Sequence, residues 1–496
     1  MLETTQPFRF FDYFRVPYRV SARASNGAGA LREQSPLRKC ACVFADHAGL
    51  TRTLYWPAAV LDSTGRPSSS QGSRHELGDV PIFGHVIPDS VVEEWLSSTT
   101  TTWSRSTPIR NGDGAWVASV WRSDNGDILL PFDPDEVMAN YWTENYLTLG
   151  RPALSRAARV VAVRGYYLAR PLIPRRHQLR LRRAFARAQS RTAFPAWPIE
   201  NALHDFCDWV LNTVSELVDG ELPWLAPWPK GRSWAFVLTH DVETSIGFAN
   251  MARLRDVERE LGYLSSWNLV PRRYAISTKD VTRLVDEGCE IGVHGLYHDG
   301  HDVTSRRTVN RRLPHMRAFA EQWGAIGFRA PATHRVWELM PLLGFDYDSS
   351  YPDTDPYEPY PGGCCSFLPF RNRSVIELPI TLPQDHTLFE ILEHCDGRVW
   401  LDKTAHIRSR GGMVLALSHP DYAENHGIID AYRQLLETYA SDSTMWHALP
   451  REVNAWWRRR EQTRIVPARD GWHIVGPAKD DASINVARPA RGTVRS

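Results

Sequence analysis

The run WAFVLTHDVE, residues 234–243, is apolar for five residues and then ends abruptly in Thr-His-Asp-Val-Glu. That pattern reads as a buried strand delivering carboxylates to its own C-terminal end. Strand residues two apart share a face, so Asp241 and Glu243 project together while His240 and Val242 point the other way. Downstream, EIGVHGLYH places His294 and His298 at the end of a short apolar run, and LALSH does the same with His419. A carboxylate and two imidazoles are a set that can hold a metal ion.

From Trp234 to about Tyr439, short apolar runs alternate with helical segments. WAFVLTH is followed by a helix ending at Gly262, and YLSSWNLV by one from Ser277 to Gly288. CEIGVH leads to a long helix toward Gly324, AIGFRA to HRVWELMPLLG, and FDYDSS follows. VIELPI then precedes TLFEILEH, and MVLALSH precedes a helix from Ile428. About seven such units predict an α/β fold, an incomplete or distorted (β/α) barrel with a parallel sheet. Asp241, His294, Arg329, Asp348 and His419 fall at the C-terminal ends of five different strands, which is the active-site face of a parallel barrel.

With 496 residues the chain is long enough for two or three domains. Its 58 basic and 57 acidic residues leave a net charge of +1, so overall balance points to neither a nucleic-acid nor a membrane partner. Seven cysteines, with Cys364 and Cys365 adjacent and no second pair to match Cys40 and Cys42, read as reduced thiols. No apolar run reaches the ~20 residues of a spanning helix and the first residues lack a signal-peptide pattern, so the expected compartment is the cytoplasm.

Residues 1–150 read as a mixed, strand-rich α+β domain of unassigned role. Within it Asn125-Gly126 marks a hairpin, and Asp133-Pro134-Asp135-Glu136 an N-cap, a first-turn proline and a capping-box glutamate. Residues 151–230 form an arginine-rich helical connector: between Glu144 and Glu200 there are twelve arginines and no acid. This stretch is either a face for phosphate-bearing ligands or an anionic membrane surface, or a solvated helix whose arginines pair with acids elsewhere. A helix is expected from Ala202 to Val218. The barrel occupies 231–457, and 458–496 is a C-terminal extension, partly disordered, with DGWHIVGP as one last strand.

The residues at the strand ends resemble the motifs of the polysaccharide deacetylase family, carbohydrate esterase family four, over roughly residues 234–440. Thr239-His240-Asp241-Val242-Glu243 is similar to its first motif, and His294-Gly295-Leu296-Tyr297-His298 to its paired-histidine motif. Arg329-Ala330-Pro331-Ala332 resembles the third, Leu343-Gly344-Phe345 through Asp348-Ser349-Ser350 the fourth, and Leu417-Ser418-His419 the fifth. Order and intervals agree. Three positions depart from the pattern: Val242 stands at the usual ligand aspartate, Ala332 at an aromatic, and Gly295 at a hydroxyl residue.

The resemblance implies a divalent metal, zinc with cobalt, nickel or iron as alternatives, held by Glu243, His294 and His298. Were Glu243 a solvated loop carboxylate, Asp241 would be the ligand. It implies Asp241 as general base oriented by Arg329, and His419 as general acid steadied by Asp348, unless Asp348 caps a turn instead. The implied reaction is hydrolytic removal of N-acetyl groups from a sugar or oligosaccharide. An absent leader and the arginine-rich stretch point to a nucleotide- or lipid-linked substrate. The alternatives are a small-molecule amidase or imidase on the same scaffold, an inactive carbohydrate-binding protein, and a non-haem iron oxygenase built on the same ligand set. In the last, the Asp-Arg-His set would have no role.

Overall fold

A computed structural model describes residues 2–21, 37–43, 51–58, 72–149, 175–189 and 194–489. The chain divides into two compact units. The first comprises residues 1–152, 201–226 and 459–496. The helix Ala202–Val218, expected to close a connector, therefore groups with the first unit, and so does the C-terminal extension. No helix among the described residues is long and apolar enough to cross a membrane.

The first unit is built on a nine-stranded, mostly antiparallel sheet. The hairpin around Asn125-Gly126 forms: Trp116–Ser123 pairs antiparallel with Ile128–Leu129, and Gly126 takes the positive φ the turn requires. Asp133 caps the helix Pro134–Trp142 by accepting from the Asp135 amide at 2.9 Å. Glu136 does not close the expected capping box. Its carboxylate turns to His85, where it accepts from the backbone amide and from Nδ1 (2.9 Å). In the extension, Arg464–Ala468 and Gly471–Val475 form a hairpin, and Ile484–Ala487 pairs with Leu222–Leu225. The tail is thus strand-forming as far as it is described, and residues 490–496 lie outside that range.

The second unit contains residues 153–200 and 227–458. Its strands are β1 (Trp234–Val242), β2 (Ser266–Leu269), β3 (Glu290–Val293), β4 (Gly327–Phe328), β5 (Tyr347–Asp348), β6 (Val375–Glu377) and β7 (Met413–Ser418). They pair parallel in the order β6-β5-β4-β3-β2-β1-β7, with Phe370–Asn372 antiparallel on the β6 edge and Met445–His447 beside the start of β1. Every residue of β1 is buried, as a strand covered on both faces must be. Just past β6, the amides of Thr381 and Leu382 donate to Leu415 O, and the Leu415 amide donates to Thr381 Oγ1 (2.8 Å). These bonds join the two ends of the sheet, so that it curls.

The helices that follow the strands are α1 (Ser245–Leu261), α2 (Thr278–Asp286), α3 (Arg306–Trp323), α4 (Arg398–Ser409) and α5 (His426–Tyr439). Thr244, Ser277, Ser305 and Asn425 accept from first-turn amides as N-caps, and Gly262 and Gly324 end α1 and α3 in the left-handed conformation. The expected alternation fails twice. HRVWELMPLLG yields only a short 3-10 turn, Met340–Leu343, because Pro341 supplies no amide and Gly344 ends it. TLFEILEH forms a π-helix, His386–Ile391.

The long β5–β6 connection is pinned to α4 by a fully buried ion pair, Lys403 Nζ to Asp353 at 2.7 Å. Burial raises the Asp353 pKa to about 6 against the pull of Lys403. Lys403→Met should lower stability by about 3–5 kcal/mol, since it strands a buried charge. Adding Asp353→Asn should recover much of that loss, and an unchanged denaturant midpoint for Lys403→Met would refute the assignment.

Candidate active site

Asp241 sits near the end of β1, in register with Asn268 of β2. Asn268 Nδ2 donates to Asp241 Oδ1 at 2.8 Å, and Arg329 Nη1 donates to the same oxygen at 3.1 Å. Gly292 makes room for this arrangement, because a Cβ there would lie 2.0 Å from Asn268 Oδ1. Burial alone would raise the Asp241 pKa, but His294, Arg329 and His419 together hold it below the ordinary value. The carboxylate is therefore ionised at neutral pH. Arg329 is itself fixed by donating to Thr239 Oγ1 (2.9 Å), Ser349 O (2.7 Å) and Ser349 Oγ (2.8 Å).

Glu243, His294 and His298 each direct one ligand atom to a common point, all three atoms within 4.8 Å of one another. His294 Nδ1 donates to Arg329 O (3.1 Å), which leaves Nε2 as a lone-pair donor. Buried Nε2 atoms of both His294 and His298 have no hydrogen-bond partner. His298 Nε2 is 2.8 Å from Glu243 Oε1, yet the two are not aligned as a hydrogen bond. Burial lowers the His294 pKa to about 4, keeping the ring neutral. Two orphaned imidazole nitrogens converging on the Glu243 carboxylate, which the neighbouring histidines hold well below its ordinary pKa, fit a divalent cation. Asp241 Oδ2 is 3.6 Å from His294 Nε2, so this carboxylate borders the same point.

Glu243, not Val242, converges with the two histidines, and the backbone around it is held from one side. The Glu243 amide donates to Asp421 Oδ2 (2.9 Å), and the Thr244 hydroxyl donates to the other oxygen. Gly247 permits that approach, since a Cβ there would fall 2.2 Å from Asp421 Oδ2. At Gly295 a Cβ would meet Asp302 Oδ2 at 2.3 Å. Asp302, ion-paired with Arg312 (2.7 Å), thus fills the space of the hydroxyl side chain. Ala332 and the adjacent Thr333 both adopt left-handed backbone, with φ of 53° and 49°.

His419 follows β7. Its Nδ1 donates to Asp385 Oδ1 at 2.6 Å, its amide donates to Asp385 Oδ2 at 2.6 Å, and its Nε2 lies 3.8 Å from Glu243 Oε1. Burial would depress its pKa, but Asp385, Glu243 and Asp241 raise it to about 10. The expected partner, Asp348, is not at His419. Asp348 Oδ1 accepts from Ser350 Oγ (2.6 Å), and the carboxyl is paired across the β5–β6 ladder with Glu377. Burial pushes both acids up, Asp348 to about 6, as two adjacent carboxyls that cannot both ionise must be. Because Ser350 Oγ also accepts from the Ala330 amide (2.9 Å), Asp348 shapes the turn after Arg329. Asp385 lies on the segment after β6, and no local sequence pattern ties it to His419.

His240 points away, as alternation requires. It stacks on Trp267, and its ring nitrogens meet Glu258 Oε1 (2.6 Å) and Ser418 Oγ (2.9 Å). In the arginine-rich stretch, residues 150–174 and 190–193 lie outside the described range. On the helix Arg175–Gln189, Arg182 pairs with Glu358 (3.3 Å) and Arg183 with Glu393 (2.7 Å), while Arg180 is exposed. The two paired residues follow the second of the two expectations, arginines matched with acids elsewhere.

Neither a family model nor a curated protein matches the chain. Solved structures do resemble part of it. One, named a polysaccharide deacetylase, from Mycobacterium smegmatis, is 20% identical and covers 47% of this chain and 93% of its own, at a TM-score of 0.39. Puue allantoinase is 15% identical over 47% of this chain and 92% of its own, also at 0.39. A family 4 acetyl xylan esterase from Clostridium thermocellum, in complex with a cobalt ion, is 16% identical over 45% and 91%, at 0.31. Likenesses at this level do not decide an activity, which has to be argued from the side chains.

Asp421→Ala should weaken zinc binding to the stripped protein by about ten- to a hundredfold, the usual effect of removing a group that orients a ligand. Calorimetric titration measures it, and an affinity equal to the unsubstituted protein would show that Asp421 does not place Glu243.

Proposed function

We propose that the chain is a metal-dependent hydrolase that removes N-acetyl groups from a carbohydrate. The observation that carries this reading is the convergence of two orphaned imidazole nitrogens and a carboxylate, bordered by an ionised Asp241 and a protonated His419. Glu243, His294 and His298 would hold the metal. When bound, the ion supplies a Lewis acid that polarises an amide carbonyl and makes water a nucleophile near neutral pH.

The chain's own groups then divide the proton transfers. Asp241 accepts the proton of the attacking water, and Arg329 and Asn268 fix its orientation and keep it charged. His419, held by Asp385 through Nδ1, presents Nε2–H toward the departing amine and donates its proton there. A backbone amide near Ala332, where the chain is left-handed, would be the donor to the developing oxyanion. The products are acetate and a free amino sugar. The fold and the motif resemblance both support this assignment of roles.

Acetate release from a panel of N-acetylated sugars and oligosaccharides, with protein stripped and reloaded with zinc or cobalt, tests it. Metal-restored release that vanishes in Asp241→Asn is expected. Silence across the panel with metal retained would instead favour a small-molecule amidase or imidase, and failure to bind metal an inactive binding protein. The pH profile tests the acid separately. Activity should be lost as pH rises through the His419 pKa. Asp385→Asn removes the charge that raises that pKa, so the alkaline limb should move to lower pH. A limb that stays in place would exclude His419 as the acid.

A further inference from the structure

We propose that Arg272 and Arg273 form an anion subsite at the rim of the active site, so that the substrate carries a phosphate or carboxylate group near its acetamide. The inference rests on the hydrolase reading above and adds the substrate's charge to it.

Pro271-Arg272-Arg273-Tyr274 follows β2, at the same end of the sheet as Asp241 and His294. The loop is tied to the end of β1, since Tyr274 OH donates to Val242 O (2.7 Å) and accepts from the Val270 amide (3.2 Å). Arg273 Nη1 donates to the carbonyl of His298 at 3.4 Å. Arg272 Nη1 donates to Tyr297 OH at 2.9 Å, and Nη2 donates to His315 Nδ1 at 3.1 Å. The Arg272 guanidinium also lies 5.8 Å from the centre of the Tyr297 ring. Both cations are therefore attached to the segment that carries the two metal-binding histidines.

Charge distinguishes this pair from Arg312, Arg329, Arg182 and Arg183. Arg312, on the same tyrosine ring at 5.2 Å, is neutralised by Asp299 and Asp302. Arg329 is matched by Asp241, and on the helix Arg175–Gln189, Arg182 and Arg183 are matched by Glu358 and Glu393. Among the described residues, Arg272 and Arg273 have no carboxylate partner, and both are exposed. A guanidinium held by neutral acceptors keeps its charge and part of its donor fork for a ligand, and loses less rotamer freedom when one binds. Two such groups on consecutive residues of one rim loop suit the tetrahedral oxygens of a phosphate or the planar pair of a carboxylate.

The test compares kcat/KM for matched N-acetylated hexosamines that are unmodified, carboxylate-bearing or phosphate-bearing, with calorimetric affinities measured in parallel. The unsubstituted protein should prefer a charged sugar by about tenfold or more, the worth of one charge-assisted hydrogen bond. That preference should shrink with added salt. Arg272→Gln with Arg273→Gln should bring the ratio near unity, the double lysine variant should retain part of it, and Arg180→Gln on the helix Arg175–Gln189 should leave it unchanged. Whichever charged sugar responds names the source of the anion. Equal handling of all sugars by the unsubstituted protein, or a preference that survives the double glutamine change, would overturn the subsite. Charged sugars that bind with this arginine dependence but are never hydrolysed would uphold the subsite and refute the hydrolase.

Discussion

One buried guanidinium ties the catalytic face together. Arg329, at the end of β4, bonds to Asp241 and Thr239 of β1 and to the carbonyl and hydroxyl of Ser349 beyond β5, and its own carbonyl fixes the tautomer of His294. A charge at 1% exposure is tolerable only when its donors are spent in this way. The same bonds leave Asp241 ionised and His294 with a free nitrogen lone pair, the two states the chemistry needs. Fold and mechanism meet in that side chain.

Around it the site is assembled from close approaches that small residues permit. Gly292 admits Asn268, Gly247 admits Asp421, and Gly295 admits Asp302. Each lets a polar side chain reach its hydrogen-bond partner, Asn268 and Asp302 from buried positions and Asp421 from a half-buried one. Glu243 stands just beyond the last strand residue, where strand pairing no longer holds the backbone. Asp421 supplies the missing restraint through the Glu243 amide and the Thr244 hydroxyl.

Much of this was readable in the amino-acid sequence, for a physical reason. A strand buried on both faces announces itself as a continuous apolar run, and polar residues at its end are conspicuous, which is how Asp241, His294, Arg329 and His419 were found. Caps and turns were equally plain, as at Thr244, Ser277, Gly262 and Asn125-Gly126. What escaped were pairings between residues far apart in sequence. Asp385 rather than Asp348 holds His419 because β6 and the segment after it run beside β7, a neighbour relation that no local pattern encodes. The return of residues 459–496 to the first unit, and the turn of Glu136 toward His85 rather than its own helix start, are of the same kind.

Binding of cobalt(II) to the stripped protein tests the central claim most directly, because it asks for the metal centre without presuming a substrate. Glu243, His294 and His298 should take up a single equivalent per chain with a saturable visible absorption band, and both should be lost in His298→Ala and in Glu243→Ala. A protein that takes up no cobalt, or takes it up unchanged in those variants, would contradict the account.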